Sequence, residues 1–143
     1  MRFIFSQNSL LRQFMADFYD LPAELPDGEM IGIAGKSGQI LAAALYHDFH
    51  ADTGNISMTL AAAHPRWAVR GNIVGLLRYP FLQLQCRRVT ATVAASNIMC
   101  LRFLQGIGFE KEGVLREGFG TEDAILLGLL RREFDALCTR FSI

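Results

Sequence analysis

Two strand-like stretches, "ISMTLAAA" and "RRVTATVA", flank a segment whose apolar residues follow a helical period, and this middle of the chain restricts the fold most. In the first stretch Ile56, Met58 and Leu60 alternate with Ser57, Thr59 and Ala61, the period of a half-buried strand. In the second, β-branched Val89, Thr90, Thr92 and Val93 favour the same pleated conformation. Between them Ile73, Leu76, Leu77, Pro80, Phe81 and Leu84 fall on one helical face. Pro80 has no N–H for the carbonyl of Leu76, so a kink or an early helix end is expected there. A strand, a helix and a second strand in that order call for a crossover, and hence for a parallel pair of neighbouring strands inside a mixed sheet.

The flanks extend this α/β reading. After a short apolar "RFIF", Leu10, Leu11, Phe14, Met15 and Phe18 sit at helical spacing, with Ser6, Asn8 or Ser9 as caps and "PAELPDG" as the stop. "EMIGIAGKSGQILAAALYHDFH" reads as two strands joined by a tight turn at Ser37-Gly38, and "ADTGN" turns the chain into the third. "SNIMCLRFLQGIG" predicts a helix capped by Ser96 or Asn97 and ended by Gly106 or Gly108. "FEKEGVLREGFG" and "EDAILLGLLRREF" read as two closing strands, although Leu126, Leu127, Leu129 and Leu130 also suit a helix. The expected order is β, α, three antiparallel strands, α, β, α, β, β: a central, mostly antiparallel sheet flanked by helices. At 143 residues, 51% of them hydrophobic, the chain is expected to form one domain over residues 1–143.

Composition bounds the function. The formal net charge is zero, which argues against a general nucleic-acid binder. Its distribution is uneven: from Thr53 to Phe109 there are six arginines (Arg66, Arg70, Arg78, Arg87, Arg88, Arg102) and no acid, whereas Met1 to Asp52 holds seven acids against three bases. The central block would attract an anionic ligand, or else its arginines keep helix faces solvated. Cys86, Cys100 and Cys138 form neither CxxC nor His-paired spacings, so no disulfide framework and no metal site is expected. No apolar run reaches the roughly 20 residues of a bilayer span, and Phe5 leads into polar "SQNS" rather than a signal-peptide core. The expectation is a soluble, cytoplasmic protein with no membrane partner.

"RGNIVG" (Arg70, Gly71, Asn72, Ile73, Val74, Gly75) lies where a strand feeds into the central helix, a position that gathers amide N–H groups and the positive end of the helix dipole. Gly71 and Gly75 would let the backbone approach an anion closely, with charge from Arg66 and Arg70. The alternative is that Gly71 is a turn residue and Gly75 a helix-packing one. Downstream, Asn97, Cys100, Arg102, Leu104, Gly108-Phe109, Glu112-Gly113 and Leu115-Arg116 follow the pattern N-x-x-A-x-R-x-L-x-x-x-G-F-x-x-E-G-x-L-R. With "PRWAVRGNIVGLLRYPFLQLQCRRVTA", these residues resemble the GNAT-type N-acetyltransferases. The similarity is to the branch that acetylates ribosomal-protein N-termini and to small GNAT-fold proteins of phage and prophage genomes, and it spans roughly Glu29 to Glu133.

The resemblance implies a GNAT acyltransferase fold, acetyl-CoA as co-substrate, and a small-molecule or peptide amine as acceptor. A homodimer is compatible with it. The family's phosphate loop has the pattern Q/R-x-x-G-x-G/A, and here Ile73 replaces the first motif glycine. The implied cofactor-binding residues are Leu60, Ala61, Ala62 and Ala63 on the strand, Arg66, Arg70, Gly71, Asn72, Ile73, Val74 and Gly75 at the loop, and Asn97 and Phe103 downstream. The Ala61 to Ala63 strand end would offer backbone donors to the thioester carbonyl. Relatives place a tyrosine acid seven residues after the Asn97 position, and this chain has Leu104 there.

Amine acylation needs a base for the acceptor. His47 has a suitable imidazole, and Ser57 holds a strand position where relatives carry a carboxylate that works through water. Glu110, Glu112 and His64 read as surface residues, and Tyr46 and Tyr79 as residues at the edge of the core. The alternative function is a GNAT-fold binding or assembly module without catalysis, phage-related, which the replaced glycine and the missing tyrosine would suit. An RNA-binding module is disfavoured because the strands lack an exposed aromatic platform.

Overall fold

The computed structural model describes residues 1–19 and 25–143. Residues 22–24 of the expected helix stop "PAELPDG" lie outside them. The elements are β1 (Arg2–Ile4), α1 (Asn8–Tyr19), β2 (Gly28–Ala34), β3 (Ile40–His50), β4 (Asn55–Ala62), a 3₁₀ turn (Pro65–Trp67), α2 (Arg70–Arg78), a π-type turn (Tyr79–Gln83), β5 (Arg88–Ala94), α3 (Ile98–Ile107), β6 (Glu110–Phe119), β7 (Glu122–Leu130) and α4 (Arg131–Phe141). Seven strands hydrogen-bond in the order β1-β2-β3-β4-β5-β7-β6. The pairs β1–β2, β2–β3, β5–β7 and β6–β7 are antiparallel. β4 and β5 are neighbours joined by a crossover through α2, the connection a parallel pair requires.

The described residues form two compact units, one of Met1–Asp48 with Met58–Tyr79, the other of Phe49–Ser57 with Pro80–Ile143. In the first, Leu11 and Met15 of α1 are wholly buried against Met30, Ala43, Leu45 and Ala61 of the sheet. Burying a side chain of that size is worth about 1.5–3 kcal/mol. The β2–β3 hairpin turns at Gly38, whose φ is +85°, and β3 turns into β4 through Gly54, whose φ is +71°. Both are left-handed positions that glycine adopts without a Cβ penalty.

The helix end expected at Pro80 is present: α2 stops at Arg78 and the chain widens into the π-type turn. Pro80 leaves the Leu76 carbonyl without its helical donor, and the Tyr46 hydroxyl takes that place, donating at 2.7 Å from wholly buried surroundings. Tyr46 is therefore a core residue rather than one at the core edge. Burial, with a smaller contribution from Tyr79, pushes its phenol far above the ordinary range, so it stays protonated and donates.

In the second unit Arg88 of β5 and Glu112 of β6 form an ion pair at 2.6 Å. It passes over Gly128 of β7, where an added Cβ would collide with the Arg88 guanidinium. Asn97 caps α3 by accepting from the Cys100 N–H at 3.3 Å, and Gly108 at φ +121° ends the helix. The expected closing strand through Phe134 is corrected: β7 ends at Leu130 and α4 follows. The switch is set locally, because the Glu133 carboxylate accepts from the Leu130 N–H at 2.8 Å and so caps a new helix. Phe134 of α4 then stacks on Phe81, ring centroids 4.9 Å apart. No helix among the described residues is long and apolar enough to cross a membrane.

Tyr46→Phe tests the Tyr46 hydrogen bond. It keeps the ring and leaves the Leu76 carbonyl unpaired, so urea unfolding should show stability lower by about 1–3 kcal/mol at an unchanged slope. An unchanged midpoint would mean that the bond contributes nothing.

Candidate functional site

His47 lies near the end of β3, its side chain 15% exposed. Its Nδ1 is 2.6 Å from Asp48 Oδ2 and its Nε2 is 3.2 Å from Thr59 Oγ1 on β4. Consecutive strand residues point to opposite faces, so Asp48 would ordinarily turn away from His47. It does not, because Asp48 sits in the left-handed region at φ +54°. Aspartate tolerates that conformation better than most residues, yet it costs of order 1–3 kcal/mol. The carboxylate can only accept, so in the neutral ring Nδ1 carries the proton and Nε2 accepts from the Thr59 hydroxyl.

The other expected base, Ser57, is half-buried on β4 and belongs to the second unit, whereas the hydrogen bonds of His47 go to Asp48 and Thr59. Thr59 went unread as a functional residue. The sequence signal for it was only that it is a polar position of the alternating stretch Ile56 to Leu60, as Ser57 is.

Farther along β4 the backbone is partly committed. The Ala63 N–H donates to Leu41 O of β3 at 2.8 Å, so it is not available as an oxyanion donor, a correction to the expected Ala61 to Ala63 set. Alternation then turns the peptide groups of Leu60 and Ala62 to the opposite edge of the strand. The Leu60 carbonyl accepts from the Tyr19 hydroxyl. Leu60 and Ala61 are buried side chains, while Ala62 and Ala63 are exposed.

Beyond β4, His64 caps the 3₁₀ turn by accepting from the Arg66 N–H at 3.1 Å. α2 begins at Arg70, immediately after Val69. Arg66, Arg70 and Gly71 are exposed, and a Cβ built on Gly71 would meet nothing within 4 Å. Of the rest of "RGNIVG", Ile73 and Val74 are buried and Asn72 and Gly75 half-buried. The Asn72 side chain donates to Trp67 O at 2.9 Å and braces the preceding turn. The Asn72 and Ile73 N–H groups both donate to Val69 O at 3.0 Å, as a helix start does. Ile73 is 6% and Val74 1% exposed, both in the core. A Cβ on Gly75 would collide with the Phe3 ring, so this glycine makes room for a core contact rather than for a ligand. Ile73 at the motif-glycine position therefore does not block the helix start.

Asn97 and Phe103 lie on α3 in the second unit. The Asn97 Oδ1 is used as the helix cap. Leu104, where relatives place tyrosine, is 1% exposed and part of the core. Glu112 is paired with Arg88 rather than merely solvated. Burial pushes the thiols of Cys86 and Cys100 above their usual range, away from nucleophilic use.

Comparison with known proteins agrees with this architecture. A solved spermidine N-acetyltransferase SpeG (an N152L mutant) from Vibrio cholerae superposes with a TM-score of 0.75 at 14% identity, covering 93% of this chain and 95% of that one. A putative acetyltransferase from T. thermophilus gives 0.71 at 21% identity, covering 95% of this chain and 74% of that one. The SPbeta prophage-derived uncharacterized N-acetyltransferase YokL of Bacillus subtilis (strain 168) is 37% identical over 67 residues, which is 44% of this chain. The chain spans 38% of the length of that curated relative. No protein-family model matches the chain. The chain has the fold of the GNAT N-acetyltransferases, as its sequence resemblance implied.

Ile73→Gly separates an obstructing residue from a packing one. It should lower stability by roughly 2–5 kcal/mol for the lost core burial and by about 1 kcal/mol more for glycine inside a helix. It should not tighten acetyl-CoA binding, and a tighter-binding, stable variant would contradict the packing role.

Proposed function

We propose that the chain transfers the acetyl group of acetyl-CoA to an amine and that His47 takes the proton from that amine. The observation that carries this reading is the His47 ring, fixed through both nitrogens by Asp48 and Thr59 on the strands that lead to the start of α2. When bound, acetyl-CoA supplies the acetyl group as an activated thioester. The residues present fit it. Open space at Gly71, the exposed guanidinium groups of Arg66 and Arg70 and the dipole of α2 suit a pyrophosphate. The exposed Ala62, with its peptide group turned to the side of β4 away from β3, suits hydrogen bonding through its carbonyl to an extended amide-bearing arm.

The roles of the chain's own residues follow. Asp48 holds the Nδ1–H tautomer, so the lone pair that works as a base is on Nε2. The amine enters neutral, its lone pair attacks the carbonyl carbon, the C–N bond forms, the C–S bond breaks, and the proton the nitrogen loses ends on Nε2. The Ala62 N–H, rather than that of Ala63, is the donor we assign to the carbonyl oxygen. The thiolate departs without a tyrosine acid, since Leu104 holds that position.

A cationic amine is the acceptor class we infer. The seven acids against three bases before Thr53 would draw one in, and the solved SpeG neighbours are named as spermidine and spermidine/spermine acetyltransferases. The test is thiol release from acetyl-CoA with spermidine, spermine, lysine-bearing peptides and peptides with free N-termini. His47→Gln should lower kcat by about 10²–10⁴-fold at an unchanged KM for acetyl-CoA. Arg70→Ala should do the reverse, raising that KM about tenfold, equivalent to about 1.4 kcal/mol. A His47→Gln protein as active as the parent would overturn the role of the base.

A further inference from the structure

Given the acetyl-transfer reading above, on which this step rests, we infer that Thr59 is the proton relay of the site and that the acceptor nitrogen binds at Thr59 Oγ1 rather than at the imidazole. Three observations meet at this residue. The Asp48–His47–Thr59 chain is continuous, 2.6 Å and 3.2 Å between heavy atoms, with its carboxylate end 67% exposed and its hydroxyl end partly buried. The left-handed backbone at Asp48 serves to bring the carboxylate round to the ring. With Nδ1 committed to Asp48, the lone pair on Nε2 is already covered by the Thr59 hydroxyl, so an amine meets the oxygen first.

A threonine hydroxyl is both donor and acceptor, which is what a relay needs. As the amine nitrogen attacks the thioester carbon, its proton passes to Thr59 Oγ1 while the proton of Thr59 passes to His47 Nε2. The C–N bond forms, the C–S bond breaks, and the electron pair leaves on sulfur. The imidazolium, stabilised by Asp48, then loses its proton to solvent, and the thiolate takes one from solvent. A hydroxyl bonded to an imidazole that a third group orients is the geometry by which enzymes move protons to and from an oxygen. Here the oxygen carries the proton onward instead of attacking.

The experiment compares the full chain with Thr59→Val, Thr59→Ser and Thr59→Ala. Valine keeps the shape and β-preference of threonine and lacks the hydroxyl. T59V and T59A should lose about 10²-fold in kcat, and T59S should retain most of the rate, with KM for acetyl-CoA unchanged in all three. The solvent-isotope proton inventory on kcat should be curved for the parent, two protons moving together, and linear for T59V. Nitrogen NMR of the His47 ring should show the Nδ1–H tautomer in parent and T59V alike, which separates a lost relay from a disturbed ring. A T59V protein with parental kcat, or a linear inventory in the parent, would overturn the relay and leave His47 as a direct base. A parent that turns over no amine would overturn the acetyl-transfer reading itself.

Discussion

The hydrogen bond from Tyr46 to the Leu76 carbonyl ties together the parts on which the site depends. The crossover helix must end near Pro80, and a proline there strands a carbonyl in the core. Tyr46 supplies the donor from the middle of β3. The next residue on the strand is His47, which alternation turns to the opposite face. One residue thus anchors the strand to α2, whose N-terminus is the anion-friendly end, and its neighbour presents the imidazole. Burial pushes the phenol well above the ordinary tyrosine range, so the anchor is a donor.

Asp48 shares its positive φ with Ser6, Gln85, Glu117 and Ser142, and it is the one of these beside the imidazole. Asp48 breaks the strand alternation with a left-handed backbone, and the return on that distortion is a carboxylate against Nδ1 at 2.6 Å. A protein that needed only a strand end there would be more stable with glycine or with an ordinary extended residue. Departures from local rules of this kind are expected where function is carried. The loop "RGNIVG" is divided on the same logic, with Gly71 and the flanking arginines outward and Ile73, Val74 and Gly75 given over to the core.

Much of the architecture was legible because it rests on short-range signals. The period change between β4 and α2 demanded the crossover, turn glycines marked both hairpins, and Asn97 and Gly108 bounded α3. What escaped depended on partners distant in sequence. Whether Gly75 faces a ligand or the core is decided by Phe3, near the other end of the chain. Leu126 to Leu130 suit either period, so the switch from β7 to α4 turns on a single Glu133 capping bond. Thr59 looked like any polar position of a half-buried strand until the structure placed its hydroxyl 3.2 Å from the His47 ring.

The proposed acetyl-CoA site lies at the start of α2 and the end of β4. The most direct measurement is the thermal unfolding of the chain with and without acetyl-CoA at about 100 times its dissociation constant. Ligand that binds only the native state should add about 2.7 kcal/mol and raise the melting temperature accordingly. Arg70→Ala should reduce that increase at the same ligand concentration. A melting temperature that stays unchanged at saturating acetyl-CoA would contradict the account.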